Sequence, residues 1–100
     1  MTKSEALQRL RDCEPELRRL GITGLSIFGS TARDEANPGS DVDLVATLDY
    51  EAVGRLGPFG FFSIEPAIEE MLGTAVDLVT DPSRRPRLLA NIDRDRVFVF

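Results

Sequence analysis

The chain has 100 residues, 42% hydrophobic and 29% charged, which suits one globular domain spanning 1–100 with a modest core and argues against wholesale disorder. Its 12 Lys and Arg against 17 Asp and Glu leave a formal charge of −5, which argues against broad coating of nucleic acid or anionic membrane. No apolar run reaches transmembrane length, residues 1–20 lack an apolar signal core, and the lone Cys13 and absence of histidine exclude an internal disulfide, His-built zinc sites, Ser-His-Asp triads and Cys-His dyads.

In chain order, Ser4–Asp12 reads as an amphipathic helix, with Leu7 and Leu10 on one face and Ser4 as N-cap. Cys13 follows as a small buried hydrophobe rather than a reactive thiol. Pro15 opens a second short helix to Leu20, closed by Gly21. Leu25–Phe28 is a short apolar strand that Gly29 ends, and Ser30–Glu35 a short helix. Asn37-Pro38-Gly39-Ser40 is a turn cluster. Asp41–Leu48 alternates, with Val42, Leu44, Ala46 and Leu48 on one face and Asp41, Asp43, Val45 and Thr47 on the other: a strand polar at its start.

Gly54–Gly60 reads as a loop, with Phe59, Phe61 and Phe62 as core anchors in preference to partner-facing ones. Pro66 opens a helix to Leu72, with Ile68, Met71 and Leu72 inward, Glu65, Glu69 and Glu70 in solvent, and Gly73 as its stop. Ala75–Val79 is a strand, Asp81-Pro82-Ser83 a turn, Arg87–Asp93 a helix and Val97–Phe100 a terminal strand. The order α-α-β-α-β-α-β-α-β predicts an α/β (α+β) fold: a small sheet flanked by helices.

One stretch carries chemistry. The strand ending at Gly29 meets a helix start at Ser30, where glycine admits a ligand to the backbone and unpaired N–H groups face an anion such as phosphate. Beyond residues 31–40, Asp41 and Asp43 stand at i and i+2 on a strand and project from one face. Two such carboxylates repel unless a cation lies between them, and oxygen ligands suit Mg²⁺, which takes one or two carboxylates plus substrate phosphates. A phosphate cradle beside a carboxylate pair describes a nucleoside-triphosphate site. Asp77, mid-strand between Val76 and Leu78, is costly to bury unless paired, hydrogen-bonded or metal-bound; Arg87 or another arginine is its ordinary partner, a metal the functional one. Arg33 stands open between a triphosphate contact and a pair with Asp34 or Glu35. Arg84-Arg85-Pro86-Arg87 reads as a solvated loop in preference to a grip on phosphate or an acidic partner.

Phe28-Gly29-Ser30-Thr31-Ala32-Arg33, Ser40-Asp41-Val42-Asp43-Leu44, Leu72-Gly73 and Val76-Asp77-Leu78-Val79 together resemble the signature of the minimal nucleotidyltransferases, the MNT-domain branch of the DNA polymerase beta-like nucleotidyltransferase superfamily. The resemblance runs from about Pro15 to Val79. It implies a small mixed sheet flanked by helices and two Mg²⁺ ions held by Asp41, Asp43 and Asp77, which are also the catalytic residues. It implies Gly29 and Ser30 on the triphosphate of ATP or another NTP, with Arg33 as a further nucleotide-binding candidate. The implied reaction moves a nucleoside monophosphate onto a hydroxyl and releases pyrophosphate.

The implied role is a cytoplasmic antitoxin that adenylylates a HEPN-like helical toxin, with no membrane and no direct nucleic-acid partner. The alternatives are a binding module of the same fold that neutralises its partner by occlusion, and the catalytic subunit of a two-component small-molecule or RNA nucleotidyltransferase. One departure stands out: Asp34 occupies a position where family members often carry glycine. Its acid either weakens NTP binding or pairs with Arg33 and turns to solvent.

Overall fold

A computed structural model describes residues 1–37, 39–80 and 82–100. Pro38 and Asp81, and with them parts of the two expected turns, lie outside the described residues. Two helices lead, α1 (Lys3–Asp12) and α2 (Glu14–Arg19). The first strand and its short helix follow, β1 (Ile22–Phe28) and α3 (Gly29–Ala32), then β2 (Val42–Leu48). A helical hairpin, α4 (Tyr50–Arg55) and α5 (Gly60–Leu72), precedes β3 (Val76–Val79). A 3₁₀ turn (Pro82–Arg84), α6 (Pro86–Asp95) and β4 (Val97–Phe98) complete the chain.

The sheet runs β3-β2-β1-β4 and is mixed: β1 pairs antiparallel with β2 and β4, while β2 and β3 are parallel. The expected fold class stands. Alternation along the strands divides two cores. Leu25, Ile27, Val42, Leu44 and Val76 join Leu10, Leu17, Ile64, Ile68 and Leu72 in the main core. On the other face Phe28 and Val45 meet Ile92 of α6, with Val79 and Leu88 packed around them. Val45 is therefore buried although it lies on the strand face that begins polar. Because α6 is the helix packed into that second cluster, an open cleft remains at the start of β2 and β3 on that face.

Several local expectations change. Thr2, not Ser4, caps α1: its hydroxyl accepts from the Glu5 N–H at 3.1 Å, and Glu5 reaches back to the Thr2 N–H at 3.4 Å. Strand β1 begins three residues before Leu25, at Ile22, where Ile22 pairs with Leu48 through an irregular step before Gly24. Helix α3 stops at Ala32 instead of Glu35, because Asp34 adopts a left-handed φ of 60° that a helix cannot continue through. Gly54 lies inside α4, a helix that Asp49 caps by accepting from the Glu51 and Ala52 N–H groups at 3.1 and 3.3 Å.

Helix α5 begins at Gly60, six residues before Pro66, and tolerates that proline in its interior. Its inward stripe is Gly60, Ile64, Ile68 and Leu72. A side chain at Gly60 would meet the Val53 carbonyl and Leu56, so the start of α5 presses on α4 and Phe61 and Phe62 turn outward. Phe59, Phe61 and Phe62 are 77%, 43% and 73% exposed, so they are not core anchors. Glu69 is half-buried and accepts the Val76 N–H at 3.1 Å, joining α5 to the start of β3. Cys13 is half-buried, and burial pushes its thiol pKa up, as for an inert thiol. Among the described residues no helix is long and apolar enough to cross a membrane.

Candidate active site

Strand β1 delivers the chain into α3 through Gly29, whose φ of 69° is left-handed. A Cβ at this position would collide with the Asp43 carboxylate, so the Gly29 backbone lies directly against that acid. The sheet register explains the contact. Phe28 pairs with Asp43 across β1 and β2, and Asp43 pairs with Asp77 across the parallel β2 and β3. Two carboxylates thus stand side by side on neighbouring strands, both lining a cleft of about 440 Å³ together with Gly29, Ser30 and Arg33.

Among the described residues neither Asp43 nor Asp77 makes an ion pair or side-chain hydrogen bond, and Arg87 does not pair with Asp77. Burial, then the charges of Asp77 and Asp41, push the Asp43 carboxyl above the usual aspartate value, against a smaller opposing pull from Arg33. Burial likewise raises Glu65 on α5, with Glu69, Asp77 and Asp41 adding to the effect. Negative charge therefore concentrates on the sheet side of the cleft.

That is the donor chemistry of a hard cation. Among the described residues no three His, Cys, Asp or Glu side chains converge as a ready-made metal cage. Mg²⁺ asks for less, since one or two carboxylates and the oxygens of a bound phosphate suffice. The unpartnered Asp43–Asp77 pair beside a backbone cradle fits Mg²⁺ carried by a polyphosphate. Asp41 stands one residue before β2, exposed and outside the cleft wall, though its charge is felt at Asp43.

Ser30 lines the cleft at the start of α3. Arg33 also lines it, and its guanidinium is held by two carboxylates: Nε donates to Glu35 at 3.1 Å and Nη1 to Asp95 at 2.6 Å. Asp34 does not pair with Arg33. Its Oδ1 accepts the Lys3 N–H at 3.1 Å, so the acid is spent on the first turn of α1 and is absent from the cleft wall.

The remaining wall was not foreseen from the sequence. Apart from Phe28 and Val79 of the sheet, it consists of Arg85, Leu88, Asn91, Arg94 and Asp95 on and before α6. The spacing of Leu88, Asn91 and Asp95, at i, i+3 and i+7, puts them on one helix face and is the signal that was available. The arginine cluster is divided, since Arg85 reaches the cleft and Arg84 and Arg87 do not.

Comparison with known proteins agrees with this geometry. The nucleotidyltransferase domain model matches residues 10–99. The chain is 34% identical over 100 residues to the protein adenylyltransferase MntA of Thermococcus cleftensis, covering 99% of this chain and 97% of that one. A solved structure described as a minimal nucleotidyltransferase superposes with a TM-score of 0.75 at 27% identity, over 97% of this chain and 95% of that one. A chain from the complex of a tri-AMPylated Shewanella oneidensis HEPN toxin with an MNT antitoxin shares the fold, with a TM-score of 0.60 at 17% identity, over 94% of this chain and 71% of that one.

Proposed function

The chain belongs to the nucleotidyltransferase domain family and is an enzyme of that class, and on this premise we propose that it is an antitoxin that moves AMP from Mg-ATP onto a hydroxyl of a HEPN-like helical toxin. One observation carries the chemistry: Asp43 and Asp77 are register partners without an ion pair among the described residues, and Asp43 lies against Gly29. The antitoxin role is supported by relatives of the same fold, a protein adenylyltransferase and a chain from an AMPylated toxin complex.

In this reading Asp43 and Asp77 would hold Mg²⁺, and Asp41, at the entrance of β2 and outside the cleft wall, would add its charge. Bound there, the metal would polarise the α-phosphate and neutralise charge on the attacking and leaving oxygens. Gly29 and Ser30 hold the triphosphate: glycine lets the phosphate approach the backbone, and the Ser30 hydroxyl donates to it. Asp77 lines the cleft from the edge strand β3 and takes the proton of the incoming hydroxyl. The acceptor oxygen bonds to the α-phosphorus as the bond to the α–β bridging oxygen breaks, and the electron pair leaves on pyrophosphate. No covalent enzyme intermediate is needed, so a chain without histidine suffices.

The test is incubation with Mg-ATP and a HEPN-like helical toxin, read by intact mass. Addition of adenylate that depends on Asp43 supports the proposal. Neutralised toxin with no mass increase overturns it. A second reading, neutralisation by occlusion, is favoured by the exposed aromatic edge at Phe59, Phe61 and Phe62. It requires that the Asp41→Ala, Asp43→Ala double variant, shown to be folded, still neutralises.

A further inference from the structure

The α6 wall of the cleft holds polar side chains that the carboxylate chemistry of the sheet does not use. Its centre is Asp95, on the last turn of α6, with a side chain only 6% exposed. Asp95 accepts from Arg33 Nη1 at 2.6 Å and from Arg94 Nε and Nη2 at 3.1 Å each. One carboxylate therefore ties together two arginines from different elements. Arg33 comes from the end of α3, beside the Gly29–Ser30 turn, and Arg94 from α6.

A guanidinium carries five N–H donors in one plane. Arg33 uses Nε and Nη1, and Arg94 uses Nε and Nη2. Among the described residues Nη2 of Arg33 and Nη1 of Arg94 have no hydrogen-bond partner. Both side chains line the cleft, so each presents free donors in a plane that Asp95 has already fixed. Asp95 neutralises one of the two positive charges. Glu35 offsets the other, but from a side chain 66% exposed, where an ion pair is weak and easily exchanged. Arg85 adds a third positive charge on the same wall. The cleft is thus bipolar, with acids on the sheet and cations at α6. A polyphosphate with its metal is a ligand that matches both ends.

We propose that Asp95 is a positioning residue that holds Arg33 and Arg94 as a two-arginine clamp for the β- and γ-phosphates of the nucleotide. This rests on the nucleotidyl-transfer reading of the cleft and adds to it the side chains that receive the departing pyrophosphate. Negative charge grows on that group as its bond to the α-phosphorus breaks, and preorganised donors stabilise it there. A purely structural Asp95, stapling α6 to the turn after α3, has a different signature, since its loss weakens every ligand of the cleft alike.

The test is calorimetric titration of the full chain and its Asp95→Asn and Asp95→Glu variants with three probes: Mg-ATP, AMP and inorganic tripolyphosphate. Asp95→Asn is expected to weaken ATP and tripolyphosphate about tenfold or more, the scale of one charge-assisted hydrogen bond, with AMP changed less than about twofold. Asp95→Glu should recover most of the loss. If Asp95→Asn does not fold, Arg94→Gln carries the same expectation. Unchanged tripolyphosphate binding, or an AMP loss equal to the ATP loss, overturns the clamp. ATP binding that persists in Asp95→Asn at wild-type strength overturns the clamp and leaves the nucleotide reading standing. Asp95-dependent tripolyphosphate binding without any binding of ATP removes the nucleotide reading and overturns the clamp as one for a nucleotide, leaving Asp95 to position a site for another polyphosphate.

Discussion

Gly29→Ala tests the backbone cradle together with its contact to Asp43. Two costs arise at this position. The φ of 69° is left-handed, and an L side chain there costs about 1–2 kcal/mol. The new methyl would also lie 3.1 Å from Asp43 Cγ and 3.3 Å from Asp43 Cβ, and closer still to a carboxylate oxygen, so the acid must swing away. The first cost is small against a domain stability of about 5–15 kcal/mol, so the variant folds. Its melting temperature should fall by roughly 4–16 °C, at about 4–8 °C per kcal/mol for a chain of this size. The displaced carboxylate is the larger effect on function, because a shift of about 1 Å in a reacting constellation costs about 10²-fold. Gly54→Ala is the control. It lies inside α4 with nothing within 4 Å of an added Cβ, and should gain about 0.5–1 kcal/mol with transfer unchanged. The assays are thermal melting and adenylate transfer by intact mass. Gly29→Ala that melts lower but transfers at the wild-type rate would refute the role of the Gly29–Asp43 contact, and an unchanged melt would refute the strained cradle itself.

Asp77→Asn should keep most ATP affinity and lose kcat by about 10²-fold or more, the scale of a positioned base; near wild-type turnover would remove Asp77 from the chemistry. Asp43→Asn should stabilise the metal-free chain at pH 7. The folded carboxyl protonates more readily than the unfolded one, so its ionised form is a penalty that appears as pH rises through the raised folded value. The gain in melting temperature should vanish below the ordinary aspartate pKa of about 3.9, and a gain that persists there would mean that packing, not charge, is responsible. Thr2→Ala removes the capping box of α1 and should cost about 0.5–2 kcal/mol in a denaturant melt, whereas Ser4→Ala should be near neutral.

The parts of the fold readable from sequence are those where one local rule acts without competition. Gly73 sits at φ 76° after Leu72 and ends α5 where a left-handed residue is needed. Asp43 and Asp77 each sit opposite apolar neighbours on a strand, so alternation alone puts them on one face once β2 and β3 are adjacent. The misreadings occur where tertiary packing overrides local preference. Pro66 has a strong local preference for a helix start, yet Ile64 and Ile68 are fully buried on one stripe and their burial holds the helix through it. Three phenylalanines near one glycine suggest core. Gly60 takes the inward position against Val53 and Leu56, and the aromatic rings are left outside, Phe61 against Phe62 at 5.6 Å and near right angles.

The site divides along the same line. Its sheet half lies within one short stretch and one strand, and a motif can carry it. Its α6 half is assembled across the chain: Asp95 meets Arg33, a partner 62 residues away, and nothing near either residue announces the other. The direction of a side chain matters as much as its type. Asp34 and Asp95 are both acids close in sequence or space to Arg33, and by composition alone either one opposes a triphosphate. Asp34 sits at φ 60°, and its carboxylate accepts from Lys3 at the start of α1. Asp95 points into the cleft wall and receives two guanidiniums. An acid in the first place is spent on the scaffold and adds no charge to the cleft wall. An acid in the second leaves a net positive charge with its two arginines and sets their planes. The effect of a carboxylate on an anion site is therefore decided by which donors it has already accepted, and those donors are fixed by the backbone on either side of it.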